Sequence, residues 1–233
     1  MLIIGLVGKK RHGKTTCAKY LENEYRFKRY AFARPLKTIV CNIVFGTKWN
    51  EEMDDTLKKS TELIAIDFDE LVSRLNAILK DNKLPLLSED EYSLLQELAQ
   101  KQPCSQLFRR ALQIIGTEIF RKRDESFWIA QLIKSISLEP STSKIVVEDV
   151  RFMNEFDVLR DRNAFMIGLV NLNENSSDKH ASERFIDLLL PMCDKVIKAS
   201  TVQDLLSKLT RSINAFMMLQ TQQNSGIINS YSK

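Results

Sequence analysis

The stretch "GKKRHGKT", residues 8 to 15, follows directly on the apolar run "LIIGLV". It fits the pattern GxxxxGK[ST] through Gly8, Gly13, Lys14 and Thr15. At ordinary residue usage such a match arises in about one chain in a hundred of this length. Here three of the seven glycines fall within the first 13 residues. In a loop of this kind the glycines let backbone N–H groups point inward at phosphate oxygens, and the following helix offers its positive end to the same charge. Lys14 would reach the β and γ phosphates of a triphosphate such as ATP, and Thr15 would ligate Mg²⁺. Lys9, Arg11, His12 and Thr16 complete the candidate cofactor contacts, with His12 expected to face solvent. The following segment, "TTCAKYLENEY", carries Cys17, Ala18, Leu21 and Tyr25 at helical spacing. Strand, glycine loop and helix therefore occur in the order a P-loop requires.

Discrimination among P-loop proteins rests on the rest of the chain. The guanine-reading [NT]KxD of a GTPase is absent. In "KIVVEDVRFMNE", Glu148 and Asp149 stand in the reverse of the Asp-Glu order of a water-activating ATPase, and Arg151 follows. Asp149, at the carboxyl end of a predicted strand, lies where open α/β sheets bind ligands, and could hold Mg²⁺ through water or cap the next helix. Arg109, Arg110, Arg121 and Arg123 crowd the helical segment "LFRRALQIIGTEIFRKRDESFW". Arg109 and Arg110 are adjacent and cannot share a face. Phosphoryl transfer requires positive charge around the moving group and a grip on the acceptor phosphate, which planar guanidinium suits. In "YAFARPLK", Phe32 and Pro35 could form a wall for an acceptor base, or be ordinary core and turn.

The elements that must carry these residues alternate. Apolar runs at 2–7, 30–33, 145–147, 164–170 and 195–199 are separated by stretches of helical periodicity. This predicts an α/β fold, a three-layer sandwich around a mostly parallel five-stranded sheet. Between residues 36 and 138 no strand is evident, but Phe68, Leu71, Val72, Leu75, Ile78 and Leu79 form one helical stripe, and Phe108, Ala111, Leu112, Ile115 and Ile119 another. We read a core domain of residues 1–35 and 139–215, a helical insertion of residues 36–138, and a C-terminal tail, 216–233, whose polar end, 220–233, is expected to fray. Pro85 and Pro103 punctuate the insertion, and 80–90 is its expected loop.

Composition excludes several classes. With 44% hydrophobic and 27% charged residues the chain is an ordinary soluble one, without an apolar run long enough to span a membrane or a recognisable signal peptide. We expect a cytoplasmic protein. Its four cysteines form no CxxC pair, and two histidines leave little for a metal centre. A net charge of +4 fits small anions as readily as nucleic acid, and no aromatic residues interleave with a basic stripe.

The segments "GKKRHGKTT", "FARPLK", "RRALQIIGTEIFRKRDESFW", "EDVRFMNE" and "DKHASE" resemble, in this order, the deoxynucleoside monophosphate kinases of bacteriophages and large DNA viruses. The resemblance is discontinuous over residues 3 to 210, and "RRALQIIGTE" and "DVRFMNE" are its more specific pieces. It implies transfer of the ATP γ-phosphate to a deoxynucleoside monophosphate, in a nucleoside-monophosphate-kinase-like fold whose insertion binds the acceptor. On this carry-over Arg110 and Arg151 hold the acceptor phosphate, and Phe32 and Trp128 line the acceptor side. Lys37, Arg109, Arg121 and Glu155 fall in the same matched segments. The implied catalytic set is Lys14, Arg110, Asp149 and Arg151, with Thr15 and Asp149 on the metal. His180 to Glu183 follow the fourth strand, where related kinases place a lid. Small nucleotides are the expected partners, without nucleic acid or membrane, and a homodimer is compatible with the resemblance. Several members have Asp directly after the P-loop lysine where this chain has Thr15, and residues 47–102 do not follow the family pattern. A P-loop kinase of another small phosphorylated acceptor would share the loop and the "FAxPLK" segment; a nucleic-acid-dependent ATPase is the reading from another class.

Overall fold

The apolar runs that carry no helical period become strands because both faces of a parallel sheet are covered, whereas the amphipathic runs become the covering helices. The computed structural model describes residues 1–174 and 181–230. In chain order its elements are β1 (Leu2–Val7), α1 (Lys14–Tyr25), β2 (Lys28–Tyr30), α2 (Ala33–Phe45), α3 (Glu51–Lys59), β3 (Leu63–Ile64), α4 (Phe68–Asp81), α5 (Glu89–Ala99), β4 (Gln102–Pro103) and α6 (Cys104–Gln113). A π-helix (Ile114–Arg121) extends α6, followed by α7 (Phe127–Ser137), β5 (Lys144–Val150), α8 (Met153–Arg160), β6 (Phe165–Asn171), α9 (Ala181–Leu189), a 3₁₀ turn (Leu190–Met192), β7 (Lys195–Ala199) and α10 (Val202–Ser230). No helix of the described residues is long and apolar enough to cross a membrane.

The chain divides into two units, residues 1–31 with 137–233, and residues 32–136. The first holds a five-stranded sheet of order β2-β5-β1-β6-β7, every pairing parallel. Strand β1 is central, so the loop that leaves it emerges beside the carboxyl ends of β5 and β6. On one face Ile4, Leu6, Val146, Ile167 and Leu169 pack with Cys17, Ala18 and Leu21 of α1 and Leu205, Leu209 and Ile213 of α10. Burial pushes the Cys17 thiol up to about 12, so it serves there as a small apolar group. All four cysteines are free.

The second unit is helical. Leu71, Leu75 and Leu79 of α4 share one core with Phe108, Ala111, Ile115, Ile119 and Trp128. Two-residue strands β3 and β4 pair antiparallel, a ladder too short to show as alternation in the sequence.

Four expectations are corrected. The second strand lies at 28–30 rather than 30–33, because the chain turns helical at Ala33, with Pro35 in the first turn where its missing N–H removes no helical bond. Strand β5 runs past Val147 to Val150 through a register shift: Gly5 pairs with Val147 and Val7 with Val150, so Glu148 and Asp149 stand opposite Leu6 alone. The stripe through Ile115 and Ile119 belongs to the π-helix. Its widened turn lets the Gly116 carbonyl accept the Trp128 indole N–H at 3.0 Å, and Gly116 itself leaves room for Leu36, whose Cδ2 lies 2.4 Å from where a Cβ would stand. Finally, the core's last helix does not stop at residue 215: α10 runs on to Ser230, into the segment expected to fray, and Phe216 stacks on Phe165 at 4.3 Å and 10°.

Candidate active site

The loop between β1 and α1 is held from below by one backbone carbonyl. A Cβ on Gly8 would stand 2.9 Å from the Leu169 oxygen of β6, so only glycine permits this approach. His12 Nδ1 lies 3.0 Å from the same oxygen, to which it donates as the protonated ring nitrogen. His12 is thus buried, 7% exposed, and not the solvent-facing residue expected from its position in a basic loop. Its imidazole ties the loop to the sheet, and a buried polar ring so placed needs that acceptor.

Two residues of the loop take left-handed backbone, Arg11 with φ 63° and Gly13 with φ 85°. Gly13 is the N-cap of α1, and a Cβ there would meet Leu205 Cδ2 at 2.6 Å. Having no side chain, it cannot cap the helix, so the first-turn amides, which have no intrahelical acceptor, face the loop. Lys14 Nζ donates to the carbonyls of Gly8 at 2.6 Å and Lys9 at 2.7 Å, which sets its ammonium across the mouth of the loop. Thr15 and Thr16 are exposed on the first turn. Lys9 pairs with Asp187 at 2.7 Å, and Arg11 reaches Glu174 at 3.7 Å; both are surface pairs that a polyphosphate could displace at small cost. Gly8→Ala is expected to lift the loop off β6 and weaken any polyphosphate binding there about tenfold or more through lost backbone amide bonds. ATP titration beside a far-ultraviolet circular dichroism spectrum unchanged from wild type checks it.

Beyond Val147 the register shift falls on the two acids, Glu148 and Asp149. Glu148 accepts from Arg29 Nη2 at 2.8 Å, with the Arg29 side chain only 7% exposed, and Glu22 lies 3.5 Å from Nη1. This pair escaped the sequence reading; its signal was a cation, Arg29, inside a short strand, which burial obliges to find a carboxylate. A bulge of this kind re-aims side chains near sites. Among the described residues no three His, Cys, Asp or Glu side chains gather as a metal cage. Thr15, exposed on the first turn, and Asp149 are instead residue types that suit the sparse protein ligation of Mg²⁺, which keeps its waters and takes phosphate oxygens.

The remaining candidates part company. Glu155 is 2% exposed and accepts from the backbone N–H of Arg151 at 2.9 Å and of Phe152 at 3.3 Å; it caps α8 instead of meeting a substrate. It thereby fixes the backbone from which Arg151 projects. In the second unit Trp128 is 3% exposed and packed on Phe120 and Phe127, so it is core, not a ligand wall. Phe32 is equally buried, at the N-cap of α2. The arginine cluster divides: Arg110 forks onto Glu97 Oε2 at 2.6 and 3.0 Å, and Arg123 is clasped by Glu91. Arg109 is exposed, Arg121 half-buried. Lys37 of α2 reaches Asp54 at 3.1 Å. His180 and the side chain of Glu183, expected on a lid, lie outside the described residues.

Comparison with known sequences agrees with this loop and its flanking sheet. The model of the family described as deoxynucleotide monophosphate kinase matches residues 2–76 and 46–209. A putative deoxynucleotide monophosphate kinase of Acanthamoeba polyphaga mimivirus is 26% identical over 196 residues, covering 78% of this chain and 81% of that protein. The deoxynucleotide monophosphate kinase of Escherichia phage RB69 is 24% identical over 215 residues, covering 78% and 88%. Because the match runs from the first strand through the glycine loop and the helical unit to the last helix, the chain belongs to the deoxynucleotide monophosphate kinase family.

Proposed function

We propose that this chain transfers the γ-phosphoryl group of ATP to a deoxynucleoside monophosphate, giving ADP and the deoxynucleoside diphosphate. The observation that carries the reading is the glycine loop strapped to Leu169 with the Lys14 ammonium across its mouth. Loop amides and the open end of α1 hold the polyphosphate, and Lys14 neutralises charge on the transferring group. Thr15 and Asp149 would hold Mg²⁺, which when bound adds neutralisation of the β and γ phosphates. The acceptor phosphate is already ionised at neutral pH, so positioning rather than a strong base is what the protein must provide.

On the acceptor side, Arg151 and Lys37 are the cations we assign to the monophosphate. Arg110, which the resemblance also implies as an acceptor ligand, is bound to Glu97, and a half-exposed pair gives up such a bond at little cost. The test is incubation with Mg·ATP and each common nucleoside monophosphate, deoxy and ribo, with chromatographic detection of diphosphates; a chain that phosphorylates none of them does not have this function. Within that assay Arg151→Ala should raise the KM for the acceptor about tenfold to a hundredfold, the worth of a lost charge-assisted pair, with little change in the KM for ATP. Equal loss of both would displace Arg151 from the acceptor.

A further inference from the structure

Residues 47–102, expected to depart from the family pattern, fall within the family match, and they contain a polar constellation that the P-loop reading does not use. Asp54 of α3 is 6% exposed. It accepts from Lys37 of α2 at 3.1 Å, from Lys58 at 2.5 Å and, more loosely, from the Trp49 indole N–H at 3.4 Å. The half-buried Trp49 ring also meets two cations of α2: the Arg34 guanidinium carbon lies 5.5 Å and the Lys37 ammonium 5.7 Å from its centroid. Arg34, Lys37 and Lys58 thus gather around Asp54 and the Trp49 ring.

A buried carboxylate is an expensive way to hold two helices together, since an apolar pair of similar volume does so without desolvating charge. Burial alone would raise the Asp54 pKa, but the bonds from Lys58 and Lys37 outweigh it and hold the carboxyl below its usual range. Lys58, one turn along the same helix, could satisfy Asp54 by itself. The bond to Lys37 comes from another helix, 17 residues away in sequence, and fixes a flexible four-carbon stem against an aromatic face. An ammonium so fixed has lost its rotamer freedom before a ligand arrives, which is how preorganisation strengthens binding.

We infer that Asp54 is a positioning residue for the acceptor: it holds Lys37 against Trp49 as a preset cationic and aromatic face for the monophosphate end of the acceptor nucleotide. This rests on the proposed assignment of Lys37 to the acceptor. The constellation lies wholly within residues 32–136, the unit to which the resemblance assigns the acceptor.

The experiment measures steady-state kinetics of Asp54→Asn, Asp54→Glu, Lys37→Met and the double variant Asp54→Asn/Lys37→Met, with the four common deoxynucleoside monophosphates as probes. Asp54→Asn is expected to raise the KM for the acceptor about tenfold while the KM for ATP moves far less, because one charge-assisted bond to Lys37 is weakened. Asp54→Glu should recover part of that loss, and the double variant should be no worse than Lys37→Met alone. In parallel, adding an acceptor should change the intrinsic emission of the wild type, and Trp49→Phe should abolish that change, since the other tryptophan, Trp128, is sealed in the core. An unchanged acceptor KM, or equal rises in both KM values with a lowered unfolding midpoint, would make Asp54 a purely structural pin and overturn the inference. A wild type that phosphorylates no monophosphate overturns the functional reading instead. In that event an emission change dependent on Trp49 would still support the acceptor face, and its absence would remove it.

Discussion

Lys14→Ala is expected to lose about 10²- to 10³-fold in kcat, the range found when one preorganised donor to a developing charge is removed. The side chain is held by two short bonds to carbonyls of its own loop, at 2.6 and 2.7 Å, so its ammonium is in place before the triphosphate arrives. Its removal takes away charge where the transferring group carries most, and leaves the backbone amides that hold the rest of the polyphosphate. The KM for ATP should therefore rise less than kcat falls. Stability should change little, because Lys14 lies at the surface of the first turn and buries no apolar contact of the α1 core, which Cys17, Ala18 and Leu21 supply. Single-turnover phosphorylation of a deoxynucleoside monophosphate, beside thermal unfolding of the variant, separates the two effects. Near-normal turnover in a folded Lys14→Ala protein would place the chemistry elsewhere.

What made the loop legible is that its backbone needs are written as residue types. A left-handed N-cap and a contact with a β6 carbonyl both demand glycine, and glycine is scarce in this chain. The sheet was legible for a related reason: doubly covered parallel strands read as continuous apolar runs. Side-chain partnership across the chain was not. His12 reads as one more basic loop residue until β6 supplies the Leu169 carbonyl, 157 residues away. The helical segment with four arginines looks like a single anion site because the carboxylates that take two of them, Glu91 and Glu97, stand 32 and 13 residues upstream. The shift in β5 and the π-helix are hidden for another reason. Each adds one residue to a regular period, and an average over a window of ten or more residues hides a slip of one. Trp128 misled because an aromatic at a family-matched position can be core or ligand wall, and only the Gly116 carbonyl and the neighbouring Phe rings decide.

Arg123 shows how far a charge in that segment can be from an active site and still matter. Both its nitrogens and the Glu91 oxygens are withdrawn from water, the side chains being 10% and 8% exposed, and the guanidinium also donates to the carbonyls of Pro85, Leu86 and Ile119. Glu91 in turn accepts the Ser88 backbone N–H at 2.8 Å, which caps α5. The pair therefore fixes the loop between α4 and α5 to the end of the π-helix. Arg123→Met removes the cation and leaves the carboxylate buried, at a cost of about 3–5 kcal/mol. Its pH dependence has a definite sign. In the wild type burial would raise the Glu91 pKa, but Arg123 and the Ser88 amide outweigh it and hold it below 4.5, so its contribution is full above 4.5 and is lost as pH falls through the lower folded value. In Arg123→Met burial is no longer outweighed by the cation, so the penalty stands at neutral pH and fades as acid protonates Glu91. The stability gap between the two proteins, from urea unfolding followed by the emission of Trp128 in the same core, should accordingly be widest near pH 7 and narrow toward pH 4. Adding Glu91→Leu to Arg123→Met should recover much of the loss, since no charge then remains buried. A gap below about 1 kcal/mol, the range of surface pairs, or one constant across that pH span, would show that the clasp is solvated and holds nothing.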